Sequence, residues 1–275
     1  MSHLVIPIST FYIKPGESYD VIIREASSYL EDDDYLVISE TPIAISEGRI
    51  VDETKYKPTF IAILLADVWS KMIWGYILGP LFRIKRRTIL NLRKLPKAAR
   101  NHKQLILELY GWKHALKPAS EAGVDLSNVP GSYVCLLPSD PQKVVQDIKN
   151  TIKYTYNKNV TVMIIDTDAT YQLGNIRFTS IPQAIPGIKK DLGIFGYLLG
   201  RFGRIIGPTP LAVSKEGDVD EMIVIAKLAE DYHKEYDNFE TVYDMKESFQ
   251  KDVGGVTVEL LESLKHTPAI IIRKQ

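Results

Sequence analysis

The sequence predicts a mixed α/β (α+β) protein, and three observations lead there. Short β-branched runs, "YLVIS" (35–39), "VTVMIID" (160–166) and "PAIIIRK" (268–274), read as buried strands. Stretches with apolar residues at helical spacing lie between them, at 19–30, 140–156 and 218–236. With 275 residues, 45% apolar and 25% charged, the chain can bury a sizeable core and has the composition of a soluble globular protein.

"LVIPIS" opens a first strand within residues 4–13, which ends at the turn "KPGESY". A helix over 19–30 follows, then the solvated break Asp32-Asp33-Asp34 and the strand "YLVIS". "ETPIAISEGRIV" carries a turn signal at Glu47-Gly48. A buried strand is expected after Ser127-Asn128, and Asp140-Pro141 starts the next helix. "VTVMIID" is a strand, and "TDATYQLGN" is read as turning out of it. Residues 181–210 read as loop-rich from their Gly and Pro content. A helix over 218–236, a short helix from Val256 to Lys265 and a final strand complete the chain. No internal repeat or linker divides it, so residues 1–275 are expected to form one domain.

The single cysteine, Cys135, precludes an internal disulfide and fits a reducing compartment; its apolar neighbours place it in the core. "MSH" runs straight into a strand, so the expectation is a cytoplasmic protein without a secretory signal. Net charge is zero but uneven: Arg83 to Lys117 holds eleven Lys and Arg and one acid, Glu108. Thr59 to Phe82 is the most apolar stretch and approaches the length of a membrane span. Asp67 and Lys71, four apart near its middle, can pair on one helix face and favour a buried or interface helix over a membrane-associated one or a true span. The basic segment after it is either a solvated face or a site for an anionic ligand or membrane surface. Nucleic acid ranks last, because no helix-turn-helix or RNA-binding aromatic signature is present.

Asp166 ends a strand with Thr167 and Asp168 beside it, an arrangement that either holds a hard cation or caps a turn. In "GVDLSN", Gly123 allows a tight backbone, Asp125 offers oxygen ligands and Asn128 a donor; an Asx-turn is the alternative. The five histidines lack zinc spacing, and no nucleophile elbow or Cys–His signature occurs. "GRFGRIIG" is neither a Rossmann nor a Walker loop, though it could cradle an anion. Oxygen-ligand metal with anion binding is the chemistry left, as in phosphoryl transfer.

"SETPIAISEGRIV", "EAGVDLSNVPGSYVCLLPSDPQKVVQDIKN", "VTVMIIDTD" and the terminal "TPAIIIRK" together resemble the coenzyme F-420-0:gamma-glutamyl ligases. The resemblance covers residues 4–53, 119–228 and the last ten, and is weak over 59–118 and 230–264. It implies a two-lobed fold, an intertwined homodimer, GTP as co-substrate and two divalent cations, Mg or Mn. The implied reaction is phosphorylation of a small-molecule acid, then attack of the amine of L-glutamate on the acyl phosphate. It also implies metal-binding roles for Asp125, Asp166 and Thr167. Nucleotide contacts are implied for Thr10, Phe11, Tyr12, Ile13, Thr41 and Asn128. The chain departs from the pattern at Ile45, where the family usually has a Lys near the phosphates, and at "DTDATYQLG", which lacks the usual Arg. "LAEDYHKEY" replaces the glycine-rich segment that supplies a metal-binding Glu; Glu230 is the candidate substitute. The alternative reading is a non-catalytic relative that binds an anionic ligand or membrane surface through 83–103.

Overall fold

A seven-stranded mixed sheet organises the molecule in the computed structural model, which describes residues 2–126, 128–236 and 257–275. Strand β1 (His3–Thr10) pairs antiparallel with β9 (His266–Lys274), which pairs antiparallel with β2 (Tyr35–Ser39). β2 runs parallel to β5 (Thr161–Leu173) with Ser39 opposite Ile165. β5 then pairs antiparallel with β6 (Ile176–Thr179) and β8 (Arg204–Val213), and β7 (Ile188–Lys189) joins β6. β3 (Ile50–Asp52) and β4 (Tyr133–Cys135) form a separate ribbon.

Strand alternation divides the core in two. Leu36, Ile38, Val162, Ile164 and Ile271 face α1 (Asp20–Ser27) and α7 (Pro141–Tyr156). Val37, Met163, Ile165, Ile270 and Ile272 face α9 (Val219–Tyr236). Asp140 caps α7 by accepting from the Lys143 amide at 3.0 Å, with Pro141 in the first turn, as its sequence signature predicts. α2 (Glu40–Ser46) follows β2 at once and ends at Gly48, whose φ of 69° fits the expected turn. Cys135 is buried, as expected.

Two expectations from sequence change. "DATYQL" does not leave the sheet: β5 continues to Leu173 and returns through Gly174-Asn175 as a β-hairpin, with Gly174 at φ 57°. The loop-rich segment contains α8 (Gly193–Leu199) and most of β8. Its glycines permit close approaches instead of breaks: a Cβ at Gly196 would lie 2.9 Å from Leu192 and 3.1 Å from Ser180. The short C-terminal helix α10 spans Val258–Glu262, while Val256 lies outside the described residues.

Residues 59–117 form a helical lobe. α3 (Phe60–Leu81) is one long helix, wound as a π-helix from Leu64 to Leu78. α4 (Arg86–Arg93) and α5 (Ala99–Tyr110) pack against it, and α6 (Trp112–Ala115) packs on α5 and α8. Trp74 is fully buried among Phe82, Ile84, Leu92 and Tyr197, so the lobe is joined to α8 by an apolar cluster. Asp67 and Lys71 do not pair with each other. Asp67 accepts from Arg100, and Lys71 Nζ donates to the Leu95 carbonyl at 3.0 Å.

Candidate functional site

The parallel pairing of β2 with β5 ends at Ser39 opposite Ile165, and the next residue of each strand's chain is an acid: Glu40 where β2 ends and Asp166 where β5 runs on. The carboxyl ends of parallel strands are where open α/β sheets place their ligands. Asp166 sits on the face that carries Val162 and Ile164, because side chains on β5 alternate. Asp168 follows on the same strand, and its amide donates to Asp166 Oδ1 at 2.7 Å. The β5–β8 register slips between Asp166 and Ala169, which brings Asp168 to the pocket beside Asp166.

The 120–128 loop covers these acids. Asp125 is pinned to Cys135 by two backbone hydrogen bonds of 2.9 and 2.8 Å. Gly123 has φ 71°, and a Cβ there would lie 2.8 Å from Asp166 Oδ2. Glycine therefore answers both the backbone conformation and the close approach. Tyr12 Oη donates to the Asn128 carbonyl at 3.0 Å, which ties the Thr10–Ile13 segment to the same loop.

Burial dominates the electrostatics. It pushes the Glu40 carboxyl up to about 7, with the charge of Asp125 and then Asp168 adding to the effect. Burial likewise raises Asp166 well above the carboxylate range, reinforced by Glu40 and Asp168. Asp166 Oδ2 is buried without a hydrogen-bond partner. One cation reaches this group: Lys117, 3% exposed at its side chain, lies 3.1 Å from Asp168 Oδ2 and also donates to the Ser120 carbonyl.

A buried polar cluster fixes the loop carrying Lys117. Lys103 Nζ donates to the carbonyls of Ala115 and Lys117, at 2.8 and 2.7 Å, and to Glu121. His102 bridges Glu53 and Glu121. Burial opposes charging His102, but hydrogen bonds to Glu121 and Glu53 push it up to about 10. Despite its own burial, Glu121 is held well below the carboxylate range by Lys103 and His102.

The sequence-predicted residues separate into three groups. Asp125 and Asp166 each lie close enough to Glu40 for their charges to interact with it. Thr41 is buried at their edge, its hydroxyl donating to Glu40 Oε1 at 2.8 Å. Of the 10–13 segment, Ile13 belongs to the core, Thr10 and Tyr12 are buried and Phe11 is exposed. Thr167 is exposed, and Asp168 takes the inward place beside Asp166. Glu230 lies on α9, across the sheet from Asp166, and pairs with Lys234 at 2.6 Å. Ile45 is 2% exposed inside an apolar cluster with Ala44, Val129 and Cys135, so this position does not present a side chain to a ligand. "GRFGRIIG" spans the turn after α8 and the first four residues of β8, and Gly203 lies close to the Gln172 carbonyl at the far end of β5.

Glu40, Asp168 and Lys117 complete the pocket, although only Asp125 and Asp166 stand out in sequence. The signal for Glu40 was its place directly after a buried strand; nothing local marks Lys117 among eleven basic residues. The donor set suits a hard divalent cation: carboxylate oxygens only, one of them buried and unpartnered. Among the described residues no three carboxylate, His or Cys side chains close on a common point, so the acids lie near one another without forming a finished cage.

The profile of the F420-0:Gamma-glutamyl ligase family matches residues 7–273. An uncharacterised protein of Methanocaldococcus jannaschii is 40% identical over 283 aligned residues, covering 97% of this chain and 95% of that protein. The coenzyme F420:L-glutamate ligase of the same organism is 29% identical, covering 80% of this chain and 85% of its own length. The corresponding ligase of Methanopyrus kandleri is 28% identical over 156 residues, 56% of this chain and 55% of its own. With the profile spanning nearly all of the sequence and the acid pocket formed by its matching segments, the chain belongs to the F420-0:gamma-glutamyl ligase family.

Proposed function

We propose that this protein is a nucleotide- and divalent-metal-dependent ligase that joins L-glutamate, or a similar amine, to a carboxylic acid through an acyl phosphate. The observation that carries this reading is the chain of charge interactions from Asp125 to Glu40 and from Glu40 and Asp168 to Asp166, whose Oδ2 is buried without a partner, with Lys117 beside Asp168. Mg or Mn held by Asp125, Asp166 and their neighbours would neutralise phosphate charge and favour in-line transfer. The acid's oxygen attacks the γ-phosphorus of GTP and GDP leaves. The amine then attacks the acyl carbon, and phosphate leaves as the amide bond forms. Lys117 supplies the positive charge that Ile45 cannot, from a different segment of the chain. Asn128 and the Thr10–Ile13 segment, tied together by Tyr12, form the nucleotide side of the pocket. The closed 120–128 loop keeps water from the acyl phosphate.

The acid acceptor is proposed to differ from that of the named ligases. One organism holds both a named ligase, 29% identical, and an uncharacterised protein 40% identical to this chain, and this chain stands with the second. The test is to incubate purified protein with GTP, Mn or Mg, glutamate and the deazaflavin acid, then with a panel of other carboxylic acids, following phosphate release and amide formation by mass spectrometry. Product with any acid supports the ligase. Retained divalent binding with no phosphate from any acid or nucleotide favours a non-catalytic relative.

A further inference from the structure

Among the described residues the outer face of α3 is largely uncovered, its one aromatic–cation contact being Arg93 over the Tyr76 ring at 4.6 Å, and this inference does not rest on the ligase reading. Asp67 and Lys71 are the only charged residues of α3, and both turn inward, to Arg100 and to the Leu95 carbonyl. The opposite face is wholly uncharged. Phe60, Leu64, Val68, Met72, Tyr76 and Leu81 lie along it, each at least 42% exposed and Phe60 and Leu81 above 69%. Their spacing of four to five residues is close to one turn of the wide winding of Leu64–Leu78, so they form a broad apolar band along the helix. A monomer's largest apolar patch is about 300–600 Å²; a row of six large side chains along 22 residues is an unusually continuous one.

Charge identifies what covers it. Beyond Leu81 the surface carries exposed Arg83, Lys85, Arg86, Lys94 and Lys97, and Glu108 is the single acid between Arg83 and Lys117. We propose that α3 docks lengthwise on an anionic lipid surface, its apolar stripe entering the headgroup boundary and these cations meeting lipid phosphates. The helix lies on the bilayer and does not cross it, because Trp74 and the Asp67–Arg100 pair fasten its inner face to the lobe. A second copy docked stripe to stripe would leave the all-basic flank unmatched.

Sedimentation of the full chain with phosphatidylcholine vesicles, with and without phosphatidylglycerol, tests this at low and high salt. Binding is expected to vesicles containing phosphatidylglycerol, weakening about tenfold or more at high salt. Met72→Asp with Tyr76→Asp, and separately Arg83→Glu with Lys85→Glu and Arg86→Glu, should each weaken it at least about tenfold with an unchanged melting temperature. No sedimentation with either vesicle, or equal binding by both variants, overturns the proposal. So does a lipid-free dimer, seen by light scattering, that the Met72→Asp, Tyr76→Asp variant dissociates while vesicles bind nothing; the face would then be an interface between copies.

Discussion

Asp166 is the residue on which the pocket turns, since its Oδ2 is buried, unpartnered and held among other acids. Asp166→Asn replaces a carboxyl whose ionisation burial and its acidic neighbours already oppose. Divalent binding, read by calorimetry, should weaken at least about tenfold, while the metal-free melting temperature stays level or rises. Gly123→Ala acts on the same atom from the other side. Its Cβ would meet Asp166 Oδ2 at 2.8 Å in a backbone with φ 71°, so a loss of about 1–3 kcal/mol is expected in denaturant unfolding. Lys117→Met tests the relocated cation: kcat should fall about 100-fold or more, with a smaller change in KM for the nucleotide. A change confined to KM would assign Lys117 to holding Asp168 in place.

The elements around the pocket are braced by the His102–Lys103–Glu121 cluster, through which α5 of the helical lobe holds the loop that carries Lys117. Glu121→Gln leaves Lys103 and His102 without their shared counter-charge, and about 3–5 kcal/mol of stability should be lost. The pH dependence has a definite sign. The proton on His102 favours the fold, so its contribution is complete below 6.5 and is lost as pH rises through about 10. Glu121 works oppositely: its contribution is present above 4.5 and is lost as pH falls through its depressed value. Melting temperature should therefore decline on the alkaline side, and His102→Gln should flatten that decline. A parallel decline in both proteins would remove His102 from the account.

At the scale of the whole molecule, the pocket draws on segments far apart in sequence: 39–41, 117–128 and 166–168. A cation that binds only when they are assembled stabilises the fold by mass action. At 100 times its dissociation constant, Mn should add about 2.7 kcal/mol, seen as an upward thermal shift that Asp166→Asn abolishes. A shift of equal size in that variant would place the metal elsewhere.

The strands "YLVIS", "VTVMIID" and "PAIIIRK", the capped helix at Asp140-Pro141 and the core place of Cys135 were legible in sequence because each is written in a local pattern: β-branched runs, a cap and apolar neighbours. Asp125 and Asp166 stand out as candidates for the same reason, one a compact acid near a glycine and the other closing a β-branched run. The extension of β5 to Leu173 was not, because its hairpin pairing with β6 and β8 outweighs the polar composition of "TDATYQ". Nor could sequence tell which of eleven cations would meet the acids, or that Ile45 would face the core and Glu230 the far side of the sheet. The chain by itself determined the strands and helices written in local periodicity; only the tertiary structure decided how far β5 runs and which acids come together. Periodicity records a residue's neighbours along the backbone, whereas charge coupling depends on distance through space.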